Sequence, residues 1–141
     1  IYSNKIVRIS ALIFLIISFS SCSNTKLSSL KVEYEETPLG IDVEKPRFSW
    51  QMSSGERKQS QSAYQIIVTD ETGEEVWNTE KTAGDISLNI EYAGNPLQPA
   101  MRYNWTLRVW NGDDKPLSAE SWFETGLMNP SVTAWDGAMK T

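Results

Sequence analysis

The chain has 141 residues, of which 40% are hydrophobic and 22% charged, and its net charge is −5. This length predicts a single domain. An acidic chain without a basic cluster is unsuited to nucleic acid. The absence of His excludes His-based catalytic triads and His metal sites, and one Cys excludes an internal disulfide. We therefore expect no cofactor and no metal site.

The N-terminal 21 residues have the pattern of an export signal. Two basic residues precede Ile9–Phe19, an apolar run of 11 residues. A membrane-spanning helix needs roughly 20 residues, so this run fits the short apolar region of a signal peptide. Small residues then lead to Cys22, as in bacterial lipoprotein signals, where the Cys becomes the lipidated first residue. We expect a signal-peptide helix at 1–21 and a polar tether at 22–29. The alternative is a plain secretory signal with Cys22 as a leftover thiol.

Short runs of alternating apolar and polar residues, separated by turn residues, fill the chain from Leu30 onward. This spacing predicts an all-β fold, an antiparallel sandwich of about seven strands at residues 30–127. No run keeps the 3.6-residue period of a core helix. The expected strands are 30–34, 47–52, 63–69, 75–78, 85–90, 103–110 and 118–125.

One turn motif indicates which type of β-sandwich the chain forms. Leu97-Gln-Pro-Ala-Met-Arg-Tyr103 resembles the Leu-x-Pro-x-x-x-Tyr corner of fibronectin type III domains, which belong to the immunoglobulin-like sandwiches. In that corner the Tyr hydroxyl makes a hydrogen bond to backbone a few residues upstream. Trp50 resembles the core Trp of the same fold, and Trp105 lies in phase with Tyr103. We predict Trp50, Tyr103 and Trp105 as structural core residues.

A set of seven fragments is more specific than the fold. They are Leu30-x-x-Glu-Tyr34, Pro38-Leu-Gly-Ile-Asp42, Pro46-Arg-Phe-Ser-Trp50, Gln59-x-Gln-x-Ala-Tyr-Gln-Ile-x-Val68, Ile90-x-Tyr-x-Gly94, Tyr103-x-Trp-x-Leu-x-Val-Trp110 and Trp122-Phe-Glu-Thr-Gly-Leu127. Together they resemble the N-terminal fibronectin-III-like domain of bacterial α-L-rhamnosidases, over about Leu30 to Gly137. Residues 128–141 then resemble a linker and the truncated start of the next domain, so the chain is interpreted as a fragment.

The resemblance implies a glycoside hydrolase that removes terminal α-L-rhamnosides from plant glycans. In that family an inverting pair of carboxylates, about 6.5–9.5 Å apart, works in a downstream helical barrel. No catalytic residue is therefore assigned to this chain, which we expect to be inactive alone although its parent protein is an enzyme. The implied partners are the downstream domains, a rhamnosylated glycan bound by the parent enzyme, and a membrane reached through lipidated Cys22. The implied location is the bacterial cell envelope, at the outer membrane.

Three tryptophans allow more than one interpretation. Trp77, Trp110 and Trp122 are predicted to form a docking face for the next domain, because Trp is enriched in interfaces. Packing in the core or at its rim, and direct stacking on a sugar, are the alternatives. The adjacent acids Asp113 and Asp114 are interpreted as turn residues, because a Ca²⁺ ion needs six to eight oxygen ligands.

Two other functions remain open. The chain could be a freestanding surface lipoprotein whose sandwich binds glycan or protein. It could also be the spacer domain of a different glycan-degrading enzyme. The sequence that follows Thr141 in the gene distinguishes these from the accessory domain of an α-L-rhamnosidase.

Overall fold

Eight antiparallel strands form two sheets in the computed structural model, which describes residues 25–55, 60–112 and 115–128. The predicted all-β sandwich is confirmed. The expected signal-peptide helix at 1–21, Cys22, the acids Asp113 and Asp114, and residues 129–141 lie outside the described residues. The strands are β1 (Lys26–Val32), β2 (Arg47–Ser53), β3 (Ala63–Thr69), β4 (Glu75–Asn78), β5 (Thr82–Ala83), β6 (Ile90–Glu91), β7 (Arg102–Trp110) and β8 (Leu117–Glu124).

The smaller sheet has the strand order β1-β2-β6, and the larger has the order β4-β3-β7-β8, with β5 also paired to β3. Side chains alternate along β7, so that one face of the larger sheet meets the core and the other faces outward. The inward residues of β7 are Tyr103, Trp105, Leu107 and Val109, all of them buried. This is the face that the sequence pattern predicts.

Aromatic rings join the two sheets. Phe48 of β2 has its ring centroid 4.9 Å from that of Trp105 and 5.9 Å from that of Phe123, both in edge-to-face geometry. Trp50 is 1% exposed and packs against Tyr64 at 5.4 Å. Such pairs add to the stability that burial alone provides. Phe48 and Trp50 of β2 therefore fill the core between the two sheets.

The corner at Tyr103 has the geometry expected of the fibronectin-like motif. The backbone N–H of Gln98 donates a 2.8 Å hydrogen bond to the Tyr103 hydroxyl oxygen, five residues downstream. The ring stacks on Phe123 with centroids 5.4 Å apart. Tyr103 thus fastens the loop before β7 to the strand itself.

Replacing Tyr103 with Phe should lower the free energy of unfolding by about 1–3 kcal/mol, because the Gln98 N–H loses its partner. Tyr34→Phe is the matched control. The Tyr34 hydroxyl also donates a hydrogen bond, to Asn89 at 2.9 Å, but at the surface, where we expect a change within about 0.5 kcal/mol. Urea unfolding followed by circular dichroism measures both. Equal effects of the two substitutions would contradict a structural role for the corner.

The first strand differs from its predicted bounds at both ends. It begins at Lys26, so residues 26–28 pair with β2 rather than forming part of the tether, and Leu27 lies opposite Met52. It ends at Val32 because Glu33 and Tyr34 adopt positive φ angles of 49° and 69°. Those two residues turn the chain, and extended pairing cannot continue through them.

The strand predicted at 85–90 is wrong, apart from its last residue in β6. Ile86 and Leu88 alternate in sequence, but they are 60% and 63% exposed, so burial does not set their pattern. Hydrogen bonds from Gln61 and Trp50 hold this segment. The Gln61 side-chain amide donates to the carbonyl oxygens of Gly84 and Ile86, at 3.1 and 2.8 Å. The Trp50 backbone N–H donates to the Ser87 carbonyl at 3.0 Å. These bonds fix an irregular backbone in place of a ladder.

Candidate interdomain face

The end of the sandwich from which the chain leaves at Met128 is tied together by backbone hydrogen bonds. Residues 38–42 run beside the end of β8, where Ile41 N–H donates to Glu124 O at 2.9 Å and Gly126 N–H donates to Ile41 O at 2.8 Å. Ile41 and Thr125 form a parallel bridge. We call this end, formed by residues 38–45, 92–101 and 124–128, the exit end.

The chain remains anchored to the domain as far as Met128. The Asp42 carboxylate oxygen Oδ1 accepts a 2.9 Å hydrogen bond from the Met128 backbone N–H. A Cβ on Gly126 would collide with that same carboxylate and would lie 3.0 Å from the Gly40 carbonyl oxygen. Glycine at position 126 therefore permits the close approach that brings Asp42 to Met128. This contact holds the backbone of Met128 against Asp42.

A groove with a volume of about 480 Å³ opens at the exit end. Its walls include Leu97 and Met128, the ring of Tyr92, and the charged residues Glu44 and Lys45. Leu39, Val43 and Leu127 are large apolar side chains exposed on the segments around it. Exposed apolar groups clustered within polar surroundings are typical of a surface that another protein part covers.

Tyr92 forms one wall of the groove, and sequence reasoning did not assign it a role. It is buried, and its hydroxyl donates a 2.6 Å hydrogen bond to the Asn95 carbonyl oxygen. Burial raises the pKa of the Tyr92 hydroxyl to about 12, and Tyr103 contributes in the same direction. The group therefore stays neutral, and it acts as a structural donor rather than as an acid or base. In the sequence, Tyr92 could have been singled out because it belongs to Ile90-x-Tyr-x-Gly94, one of the seven fragments described above.

The three tryptophans predicted for docking do not share a face. Trp77 is partly buried and packs against the core, with ring centroids 5.5 Å from Phe48 and 5.0 Å from Tyr92; this favours the alternative of core or rim packing, and docking through Trp77 stays a prediction. Trp110 is 9% exposed, and the Lys81 ammonium lies 4.6 Å from its ring centroid. Trp122 is half-buried on the outer face of the larger sheet. The exit end uses aliphatic side chains instead.

Several carboxylates of the described residues are engaged in structural contacts. Hydrogen bonds from the Arg47 side chain lower the pKa of Glu33, and the hydroxyl of Thr72 lowers that of Asp70 in a hairpin turn. Within residues 25–55, 60–112 and 115–128, no group of three or more acidic or Cys side chains is placed to hold a metal ion. Over the same residues no helix has the length and hydropathy to cross a membrane.

Comparison with known families decides the classification. The family described as "Rha78A-like, N-terminal immunoglobulin domain" matches residues 27–129. The chain belongs to this family. The match begins one residue after the start of β1 and ends one residue after Met128. A Rha78A-like immunoglobulin domain is thus the whole of the part that the structure describes.

Relatives of this Rha78A-like domain are α-L-rhamnosidases. The α-L-rhamnosidase of Streptomyces avermitilis is 43% identical over 115 residues, covering 77% of this chain and 11% of the relative. One from Formosa agariphila is 35% identical, covering 84% of this chain and 14% of the relative. The chain spans 11–15% of the length of the curated relatives that it matches.

Solved structures agree with the sequence relatives. The crystal structure of the Streptomyces avermitilis α-L-rhamnosidase, complexed with L-rhamnose, matches with a TM-score of 0.69 and 42% identity, over 76% of this chain and 11% of that one. The α-L-rhamnosidase structure from Dictyoglumus thermophilum matches with a TM-score of 0.65 and 38% identity, over 72% and 12%. The matched part is therefore a small share of each of those chains.

Proposed function

We propose that this chain is the non-catalytic, N-terminal accessory domain of a surface-anchored α-L-rhamnosidase. The observation that carries the proposal is the match of an N-terminal domain family to residues 27–129, in a chain that spans 11–15% of the length of rhamnosidase relatives. Hydrolysis of terminal α-L-rhamnosides is the activity of the whole protein. Its substrate class is rhamnosylated plant glycan.

The domain's task is mechanical. The exit end packs against the domain that follows, with Leu39, Val43 and Leu127 covered in the contact. Several features support this partner: the groove beside Met128, the exposed aliphatic residues, and the hydrogen bond from the Met128 N–H to Asp42 that holds the chain in a defined direction. Because the chain is held at Met128, the placement of this domain constrains the placement of the next one.

The gene sequence beyond the codon for Thr141 tests this assignment. We expect an open frame that encodes further β-domains and a helical barrel. A stop codon at that point would support a freestanding lipoprotein instead. A different catalytic domain would make the sandwich a spacer in another glycan-degrading enzyme.

Membrane attachment through Cys22 is the second part of the proposal. The basic start, the apolar run of 11 residues and the Cys that follows it support lipidation and location at the outer membrane. Several acyl chains on one residue hold a protein firmly at a bilayer, whereas one chain alone is marginal.

Replacing Cys22 with Ala should move the protein from the membrane fraction to the soluble fraction, or block removal of the leader. Cell fractionation with immunoblotting, and mass spectrometry of the mature N-terminus, measure the two outcomes. Ser20→Ala serves as the control, since it keeps a small residue before the Cys. Retention of the Cys22→Ala protein in the membrane, with cleavage elsewhere, would contradict lipidation.

A further inference from the structure

The outer face of the larger sheet carries a second groove, away from the core. Three cross-strand pairs line up along β7 and β8 on this face: Arg102 with Glu124, Asn104 with Trp122, and Thr106 with Glu120. A groove with a volume of about 340 Å³ lies among them, bounded also by Thr69. We call it the Trp122 groove. Its size lies at the low end of the range for small-molecule pockets, about 300–1,000 Å³.

Trp122 is held in a fixed orientation. The Arg102 guanidinium lies over the indole ring, 4.1 Å from its centroid. The Glu124 carboxylate fixes that guanidinium by hydrogen bonds from Nε at 2.8 Å and from Nη2 at 2.5 Å. The Arg102 backbone N–H donates to the Glu71 carboxylate at 2.9 Å. Arg102 lies over the indole ring, and Trp122 is also part of the lining of the groove.

Three polar side chains of the Trp122 groove have no hydrogen-bond partner among the described residues. The side chains of Asn104, Thr106 and Glu120 form no hydrogen bond to any other described residue, whereas Arg102 and Glu124 pair with each other. Glu120 also has no partner among the ion pairs of the described residues. An amide, a hydroxyl and a carboxylate together offer both donors and acceptors at the floor of a small groove.

These features match one ligand chemistry. The C–H face of a sugar ring stacks on an indole, because the ring face carries partial negative charge. Neighbouring sugar hydroxyls are paired donors and acceptors, which the amide and carboxylate can satisfy. Since Glu120 adds an uncompensated negative charge, an acidic sugar is disfavoured by repulsion. We propose that the Trp122 groove binds a neutral saccharide of one or two rings, stacked on Trp122 and hydrogen-bonded to Asn104, Thr106 and Glu120.

Titration of the purified chain, followed by NMR, tests this proposal. The probes are L-rhamnose, D-galactose and a neutral disaccharide, with D-galacturonate as the acidic counterpart. We expect at least one neutral sugar to shift the signals of the Trp122 indole N–H and of residues 104, 106 and 120. We expect Trp122→Ala to weaken that binding about tenfold or more. Tyr34→Ala removes an exposed aromatic ring from the turn after β1 and should leave the binding unchanged.

A charge variant tests the selectivity separately. Glu120→Gln should retain the neutral sugar and raise the affinity for galacturonate. Unchanged signals at the groove with every neutral sugar overturn the proposal, as does binding that survives Trp122→Ala. Equal affinity of the wild-type chain for galacturonate and for a neutral sugar overturns the selectivity. The proposal does not depend on the rhamnosidase assignment, because the groove lies within this chain.

Discussion

Substitution of Trp50 by Ala is expected to lower the free energy of unfolding by about 3–5 kcal/mol. The indole is 1% exposed and fills the space between β2 and Tyr64 of β3, so its removal leaves a cavity that neighbouring strands cannot close. The indole Nε1 also donates a 2.9 Å hydrogen bond to the Gln61 side-chain oxygen. Gln61 in turn fastens the irregular segment at Gly84 and Ile86. Losing Trp50 therefore weakens the core and loosens that segment together.

Guanidinium unfolding monitored by far-UV circular dichroism measures the effect of Trp50→Ala without relying on tryptophan fluorescence. Trp122→Ala is the matched control, since it removes the same side chain from a half-buried position on the outer face. It should cost less than half as much. If Trp50→Ala leaves no folded protein, Trp50→Phe keeps an aromatic ring but removes the pyrrole part of the indole with its Nε1 donor, with an expected loss of about 1–3 kcal/mol. A loss similar to that of the control would contradict a central role for Trp50.

Gly94→Ala should destabilise the domain by about 2–4 kcal/mol, from overpacking and from a displaced hydroxyl. A Cβ at this position would collide with the Trp77 side chain and the Val76 carbonyl oxygen, and would lie 2.7 Å from the Tyr92 hydroxyl. The backbone there cannot move away easily, since the Asn95 N–H donates to Val76 O at 2.9 Å. The methyl group would separate Tyr92 from the acceptor that satisfies it.

Gly73→Ala is the control for Gly94→Ala. A Cβ at Gly73 meets nothing within 4 Å, but its φ of 87° is costly for Ala. That strain is worth about 1–2 kcal/mol, whereas Gly94 has no positive φ, so Gly73→Ala gives the cost of backbone strain without a collision. Thermal and urea unfolding of both variants provide the comparison. A smaller loss for Gly94→Ala than for Gly73→Ala would contradict the close packing of the groove wall.

Local sequence patterns predicted the features that depend on neighbouring residues. Alternation from Arg102 to Val109 marked β7, because each second side chain had to reach the core. The Tyr103 corner was predictable because its hydrogen bond joins residues five apart. The Arg47–Ser53 strand was likewise marked by Pro46 before it and by a buried Trp within it.

Features built from distant residues were missed. Tyr92 and Gly94 acquire their roles from Val76 and Trp77, which belong to another strand. The segment 85–90 alternates as a strand would, yet a single side chain, Gln61, supplies the hydrogen bonds that hold it otherwise. The periodicity of a sequence cannot show that the side-chain amide of a distant residue supplies the hydrogen bonds that a neighbouring strand would otherwise form. Core packing of Trp77 was only an alternative in the sequence analysis for the same reason, since its neighbours in space are Phe48 and Tyr92.

Hydrolysis of an aryl α-L-rhamnoside, measured as released phenol above a boiled control, tests the central claim most directly. The complete gene product should release phenol, and residues 22–141 expressed alone should fold and release none, because the proposed function assigns the catalytic carboxylates to a later domain. Turnover by residues 22–141 that disappears when one of their carboxylates is replaced would contradict the account. So would a complete gene product that folds but leaves α-L-rhamnosides intact.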